Sequence, residues 1–162
     1  MLVTRMQKKM IDFYEGSIRD IEHFLKVLSY ASLIGRMENL DVKTQGLIEL
    51  AAIVHDISIP YCRKKYGSAN GKYQEKESEA ILRPFLAEFE LEEDVLERII
   101  YLISHHHTTD NIDGIDYQIL IEADFLVNAA HDNMPKENIR IFLDKVVKTA
   151  SGKALIESVF LR

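Results

Sequence analysis

Leu50-Ala51-Ala52-Ile53-Val54-His55-Asp56-Ile57-Ser58-Ile59-Pro60 is an apolar run interrupted by two adjacent titratable side chains. The residues from Thr44 to Val54 favour a helix, and such a helix must be buried. An imidazole and a carboxylate delivered into that setting cost several kcal/mol, as an order of magnitude, unless they are paired or metal-bound. A metal ion satisfies both at once.

Working outward, nearly every segment repeats its apolar residues with the 3.6-residue period, and alternating strand-like runs are scarce. The expected class is all-α, a single compact multi-helix domain over residues 1–162. Met6, Met10, Ile11 and Phe13 mark a first helix ending near Gly16. Ser17 is placed to cap a second, with Ile18, Ile21, Leu25, Leu28, Ala31 and Ile34 as its buried stripe. Asp41 is placed to cap the third helix, which ends on His55-Asp56. Residues 57–69 read as a loop with one helical turn, and Asn70-Gly71 as a turn. A fourth helix over Glu75–Phe89 contains Pro84, which should kink or split it. Glu92-Glu93-Asp94 opens a fifth, which runs to His105-His106-His107. A sixth around Tyr117–Leu126 is apolar on most sides and therefore central, which makes Asp124 conspicuous. Pro135 starts a seventh helix and Ser151 is the expected cap of an eighth, Lys153–Phe160.

Composition narrows the function. A net charge of −6 opposes binding to a nucleic-acid polymer, which needs clustered Lys and Arg against phosphates. The cluster Arg63-Lys64-Lys65 reads as a solvated patch or as an attractor for a small anion. One cysteine, Cys62, allows no internal disulfide and suits a reducing compartment. No secretory leader opens the chain and no apolar run approaches 18 residues, so no membrane contact and a cytoplasmic location are expected. Monomer and homodimer are both open.

His23, His55, Asp56 and Asp124 thus interrupt helices that are otherwise buried. Imidazole nitrogens and carboxylate oxygens suit Mn, Fe, Co, Ni and Zn ions, with Mg a further candidate through the carboxylates, and two His with two Asp leave positions open for water and substrate. Such an ion activates water and polarises a phosphoryl oxygen.

In this order the motifs resemble the HD superfamily of metal-dependent phosphohydrolases. They are His23 in Glu-His-Phe-Leu-Lys-Val-Leu, His55-Asp56 in Ala-Ala-Ile-Val-His-Asp-Ile, the triplet His105-His106-His107, and Asp124 in Glu-Ala-Asp-Phe-Leu-Val-Asn. The likeness spans about residues 18–130. It implies an all-helical domain in which His23, His55, Asp56 and Asp124 bind one divalent metal ion, and an activity against a nucleotide or another small phosphate ester. Two departures stand out. Ser58-Ile59-Pro60 follows the pair where many relatives have Gly-Lys, and no histidine lies between residues 56 and 104, which argues against a two-ion site.

Successive helix residues point about 100° apart, so at most two of the three adjacent histidines face one site. Counting from Leu102 selects His105 and His106; counting from Ile103 selects His106 and His107. His106 is common to both and is the expected general acid, with Asp56 sharing the proton of the attacking water. His105 and Asn128, one turn past Asp124, are the expected substrate contacts; Gln74 and Glu75 are further candidates, and His131 is expected to face solvent. Two rival functions remain: a binding or regulatory module that keeps its metal for structure, and an iron-dependent oxygenase of the same fold.

Overall fold

A computed structural model describes residues 2–162. Its helices are α1 (Leu2–Phe13), α2 (Ile18–Met37), α3 (Val42–Val54), α4 (Ile59–Tyr66), α5 (Gly71–Leu86), α6 (Glu93–Ile103), α7 (Ile115–His131), α8 (Lys136–Lys145) and α9 (Ala150–Ile156). No strand occurs among the described residues, so the all-α expectation holds.

The bundle is built on α2, which packs most extensively against α3 and α7. Helix α3 starts where Asp41 accepts hydrogen bonds from the Lys43 and Thr44 amides, each at 3.0 Å, satisfying two orphan donors of the first turn. Leu50 to Val54 are all buried, so its last turn lies wholly within the core and carries His55 there. Helix α7 is nearly as enclosed, with Ile119, Leu120, Ala123 and Leu126 at most 1% exposed.

Helix α2 departs from its expected stripe. Phe24, Val27, Leu28, Ala31 and Ile34 are buried, but Ile18 is 70% exposed. The inward position of the first turn is taken by Asp20, 7% exposed, because Ser17 and Arg63 both donate to its carboxylate. An apolar count cannot foresee a buried carboxylate that brings its own cation.

Residues 57–69 also differ, since they contain α4 rather than one turn. Pro60 fits its first turn, Ile59 and Cys62 form its buried face, and Gly67 ends it in the left-handed region at φ 67°. Asn70-Gly71 opens a helix instead of a turn: the Asn70 side chain accepts from the Lys72 amide at 3.0 Å and caps α5. Pro84 neither splits nor stops α5, which runs on to Leu86 and then tightens into a single 3₁₀ turn, Ala87–Phe89.

The C-terminal segment is held to α7 by a buried carboxylate. Glu122, 0% exposed, accepts from the Lys148 amide at 2.8 Å, the Thr149 amide at 3.1 Å, the Thr149 hydroxyl and the Gln118 amide group. Thr149, rather than the expected Ser151, caps α9, accepting from the Gly152 amide at 2.9 Å. A Cβ at Gly152 would overlap the Glu122 carboxylate and lie 2.7 Å from the Thr149 hydroxyl. Gly152→Ala is therefore expected to destabilise the fold by about 1–3 kcal/mol, the usual cost of overpacking. Thermal unfolding reads this as a midpoint lowered by roughly 2–4 °C per kcal/mol; an unchanged midpoint would show that the clamp is not tight.

Candidate metal centre

His55 is the residue at which α3 ends, and it is fully buried. Its Nδ1 lies 2.8 Å from the Ala52 carbonyl, so Nδ1–H donates there and the Nε2 lone pair faces inward. Asp56 follows at 8% exposure, with the Tyr14 hydroxyl donating to its backbone carbonyl at 3.1 Å. His23 comes from the second turn of α2 and Asp124 from the middle of α7, both half-buried. Four positions separated by up to 101 residues thus meet at one point.

The distances there define a ligand set. His23 Nε2 is 3.1 Å from His55 Nε2, 3.1 Å from Asp56 Oδ2 and 3.1 Å from Asp124 Oδ1. His55 Nε2 is 3.2 Å from Asp56 Oδ2 and 3.4 Å from Asp124 Oδ1. While both imidazoles are neutral and Nδ1–H of His55 is committed to a carbonyl, one proton on His23 Nε2 satisfies only one of these contacts, and the rest are lone pair against lone pair. Ligand atoms about 2.0–2.1 Å from a shared ion lie roughly 3.0–3.4 Å apart in octahedral or tetrahedral arrangements. The residues therefore fit a divalent ion.

The electrostatics agree. Burial alone would lower the basicity of His55 and His23, but Asp56 and Asp124 outweigh it and raise both, His55 strongly. Burial alone would raise the pKa of Asp56 and Asp124, yet the adjacent histidines hold both carboxyls well below the usual range. Without an ion, protons on the imidazoles provide the positive charge that two enclosed carboxylates require.

The His105–His107 triplet lies just past the end of α6 at Ile103. His106, 4% exposed, donates from Nδ1 to the Ile103 carbonyl at 2.8 Å. Its Nε2 is buried without a hydrogen-bond partner and lies 3.5 Å from Asp56 Oδ1. The His107 ring stands beside it with centroids 3.9 Å apart, and partial enclosure and then the His106 ring push its pKa down to about 4. Asp56, His106 and His107 bring ligand atoms within 4.8 Å of one another, as do His23, His55 and Asp56. Asp56 belongs to both groups, and the second group comes together without a histidine between residues 56 and 104.

His105 is placed elsewhere. Its Nδ1 donates to the Tyr101 carbonyl at 2.7 Å and its ring stacks on Tyr101 at 4.2 Å, away from the cluster. The phase counted from Ile103 is the one that describes the chain, because the helix ends there and a turn follows. That turn is fixed from two sides: Glu75 accepts from the His107 amide and the Thr108 hydroxyl, and the Tyr117 hydroxyl reaches the carbonyls of His105 and Thr108. Gly71 leaves room for the His107 ring, which a Cβ there would approach to 2.7 Å. Gln74 is buried and donates to the Ala69 carbonyl, and Asn128 donates to Asp124 Oδ1 at 2.9 Å, orienting that carboxylate. His131 is exposed beside Asp132, as expected.

A cleft of about 890 Å³ between α2, α4 and α7 opens onto His23, Asp56 and Asn128. Its rim carries Arg63, Lys26 and Arg19. The sequence placed Asp20 only as an acidic first-turn residue of the second helix and left the role of Arg63 open; their only signal was that acidic residue one turn before His23.

The all-helical domain thus gathers His and Asp side chains from four points of the chain into one ligand set that could hold a metal ion. A family comparison agrees: the HD domain matches residues 20–150, and the chain belongs to that family, a superfamily of metal-dependent phosphohydrolases. Neither the curated proteins nor the solved structures offer a significant match. No helix among the described residues is long and apolar enough to cross a membrane.

Proposed function

We propose that the protein hydrolyses a small phosphate monoester, a nucleotide or a similar phosphorylated metabolite, with a divalent ion held by His23, His55, Asp56 and Asp124. The observation that carries this reading is the set of five nitrogen and oxygen contacts of 3.1–3.4 Å that meet at one point, the spacing expected of ligands around one ion. When bound, a divalent ion lowers the pKa of water and polarises a phosphoryl oxygen. Asp56, with Oδ2 towards His23 and Oδ1 towards His106, is placed to accept the proton of the attacking water. His106 offers its unpartnered Nε2 to the leaving oxygen, and His107 beside it offers a second nitrogen to the phosphate. Asn128 holds Asp124 in place.

The test is metal analysis after reconstitution, followed by a phosphate-release screen over nucleotides and sugar phosphates. One ion per chain and release from at least one monoester are expected. His106→Ala should lower kcat by about 10²–10⁴, the usual scale for a general acid, and keep the ion.

The unpartnered His106 Nε2 favours one second reading, in which Asp56 bridges two ions and His106 with His107 holds the other. Two ions per chain, falling to one in His106→Ala, select it. A two-ion centre also serves the iron-dependent oxygenase alternative, and oxygen consumption by iron-loaded protein without phosphate release would establish that chemistry instead.

A further inference from the structure

The ligand set is rich in carboxylates, and a phosphate approaching it needs a fixed cation. The Gly-Lys that serves many relatives is absent after Asp56. Three cations line the cleft. Lys26, with a side chain 61% exposed, is paired only to Glu22 on its own helix at 3.3 Å, and Arg19 is exposed. Arg63 differs from both.

Its guanidinium forms a two-point contact with Asp20, Nη1 to Oδ2 at 2.8 Å and Nη2 to Oδ1 at 3.2 Å. Asp20 is buried, and the Ser17 hydroxyl donates to its Oδ2 at 2.6 Å. A carboxylate enclosed in this way holds the guanidinium plane in one orientation. The Arg63 side chain nevertheless remains 47% exposed and lines the cleft. Asp20 precedes His23 by three residues on α2, which puts their Cβ atoms about 5–6 Å apart on neighbouring rows of the helix. Arg63 lines the same cleft as His23 and Asp56, so an anion held by its guanidinium shares that cleft with the ligand set. Ile59, Leu126 and Val127 contribute apolar edges to the same lining.

Resting on the phosphohydrolase reading above, we propose that Arg63, oriented by Asp20 and Ser17, is the phosphate-binding cation of this cleft, and that the substrate is a monoester with a compact body seated on Ile59, Leu126 and Val127. Arg63 supplies the cation that Ser58-Ile59-Pro60, following the His-Asp pair, does not. A dianionic monoester gains most from it; a diester, with one charge fewer and a second bulky arm, gains least.

The experiment measures inorganic phosphate binding by calorimetry to the metal-loaded protein, beside KM and kcat on the best ester of the screen. Arg63→Gln is expected to weaken phosphate binding and raise KM by about 10-fold or more, the scale of a charge-assisted bond, with metal content unchanged. Because Arg63→Gln leaves Asp20 buried without its cation, the double variant Asp20→Asn/Arg63→Gln is measured too; it removes both charges and should keep the fold while still losing phosphate. Arg63→Lys should recover only part of the affinity, since an ammonium cannot hold both Asp20 oxygens and the anion. If wild type and Arg63→Gln bind phosphate equally, the pair is purely structural and this proposal is overturned while the hydrolase reading stands. If metal-loaded wild type neither binds phosphate nor releases it from any ester, both fall.

Discussion

Exchange of Asp56 for alanine is expected to strip the protein of metal and of activity together. Its carboxylate is the one side chain common to both ligand groups, with Oδ2 within 3.1–3.2 Å of His23 and His55 and Oδ1 3.5 Å from His106. No other carboxylate belongs to both groups, so nothing replaces it. Turnover should fall by at least about 10³-fold, equivalent to roughly 4 kcal/mol of barrier. The fold should persist, because Tyr14 is bonded to the backbone carbonyl of Asp56 and not to its side chain. One of the two histidines left behind can lose its proton while the other keeps its own against Asp124, which avoids an unpaired buried charge. His55→Ala should lose metal as well, but Asp56 and His106 would still face each other. Elemental analysis with far-ultraviolet circular dichroism checks both variants. A folded Asp56→Ala that retains a full equivalent of metal would refute the assignment.

Much of this site was legible in the sequence because its residues contradict their surroundings. His55 and Asp56 close a helix with seven buried apolar residues, and Asp124 sits among Ile121, Ala123, Phe125 and Leu126. A polar group in such a run is costly unless it has a partner, so the anomaly itself points to chemistry. The family pattern then supplied the order in which those anomalies meet. Asp20 and Arg63 were invisible by the same logic. Each lies in a polar stretch where a charge is ordinary, and the meaning of the pair comes only from α4 folding back across the start of α2. The extent of α4 was hidden for a related reason: Arg63-Lys64-Lys65 masks the spacing of Ile59 and Cys62, on which the helix is buried. The His105–His107 turn was undecidable by counting, since a helical phase loses meaning at the residue where the helix stops. What fixes that turn are Glu75, Tyr117 and Gly71, from 9 to 36 residues away, and no local pattern reports contacts of that range.

Replacement of Asp124 by asparagine should separate metal binding from folding most cleanly. The carboxylate is 13% exposed, accepts from Asn128 at 2.9 Å, and faces His23 at 3.1 Å and His55 at 3.4 Å. Asparagine keeps the shape and a carbonyl oxygen but removes the charge that a divalent ion requires. Losing a residue that only supports a ligand costs 10–100-fold in affinity, so losing the ligand's charge should cost about 100-fold or more. With metal at about 100 times the wild-type dissociation constant, binding stabilises wild type by about 2.7 kcal/mol and the variant by roughly 0.4 kcal/mol. For a chain of this size those energies correspond to midpoint gains of roughly 5–11 °C and about 1 °C. The apolar helix alone suggests that asparagine would stabilise the metal-free protein by relieving a buried charge. The neighbours reverse that sign, because Asp124 is compensated by the histidines whose basicity it raises. The metal-free variant should therefore melt below metal-free wild type, and activity should be lost. Thermal unfolding of both proteins with and without metal gives all four midpoints. Equal metal-induced gains would show that Asp124 is not a ligand, and the ion would then have to be held by His23, His55 and Asp56 alone.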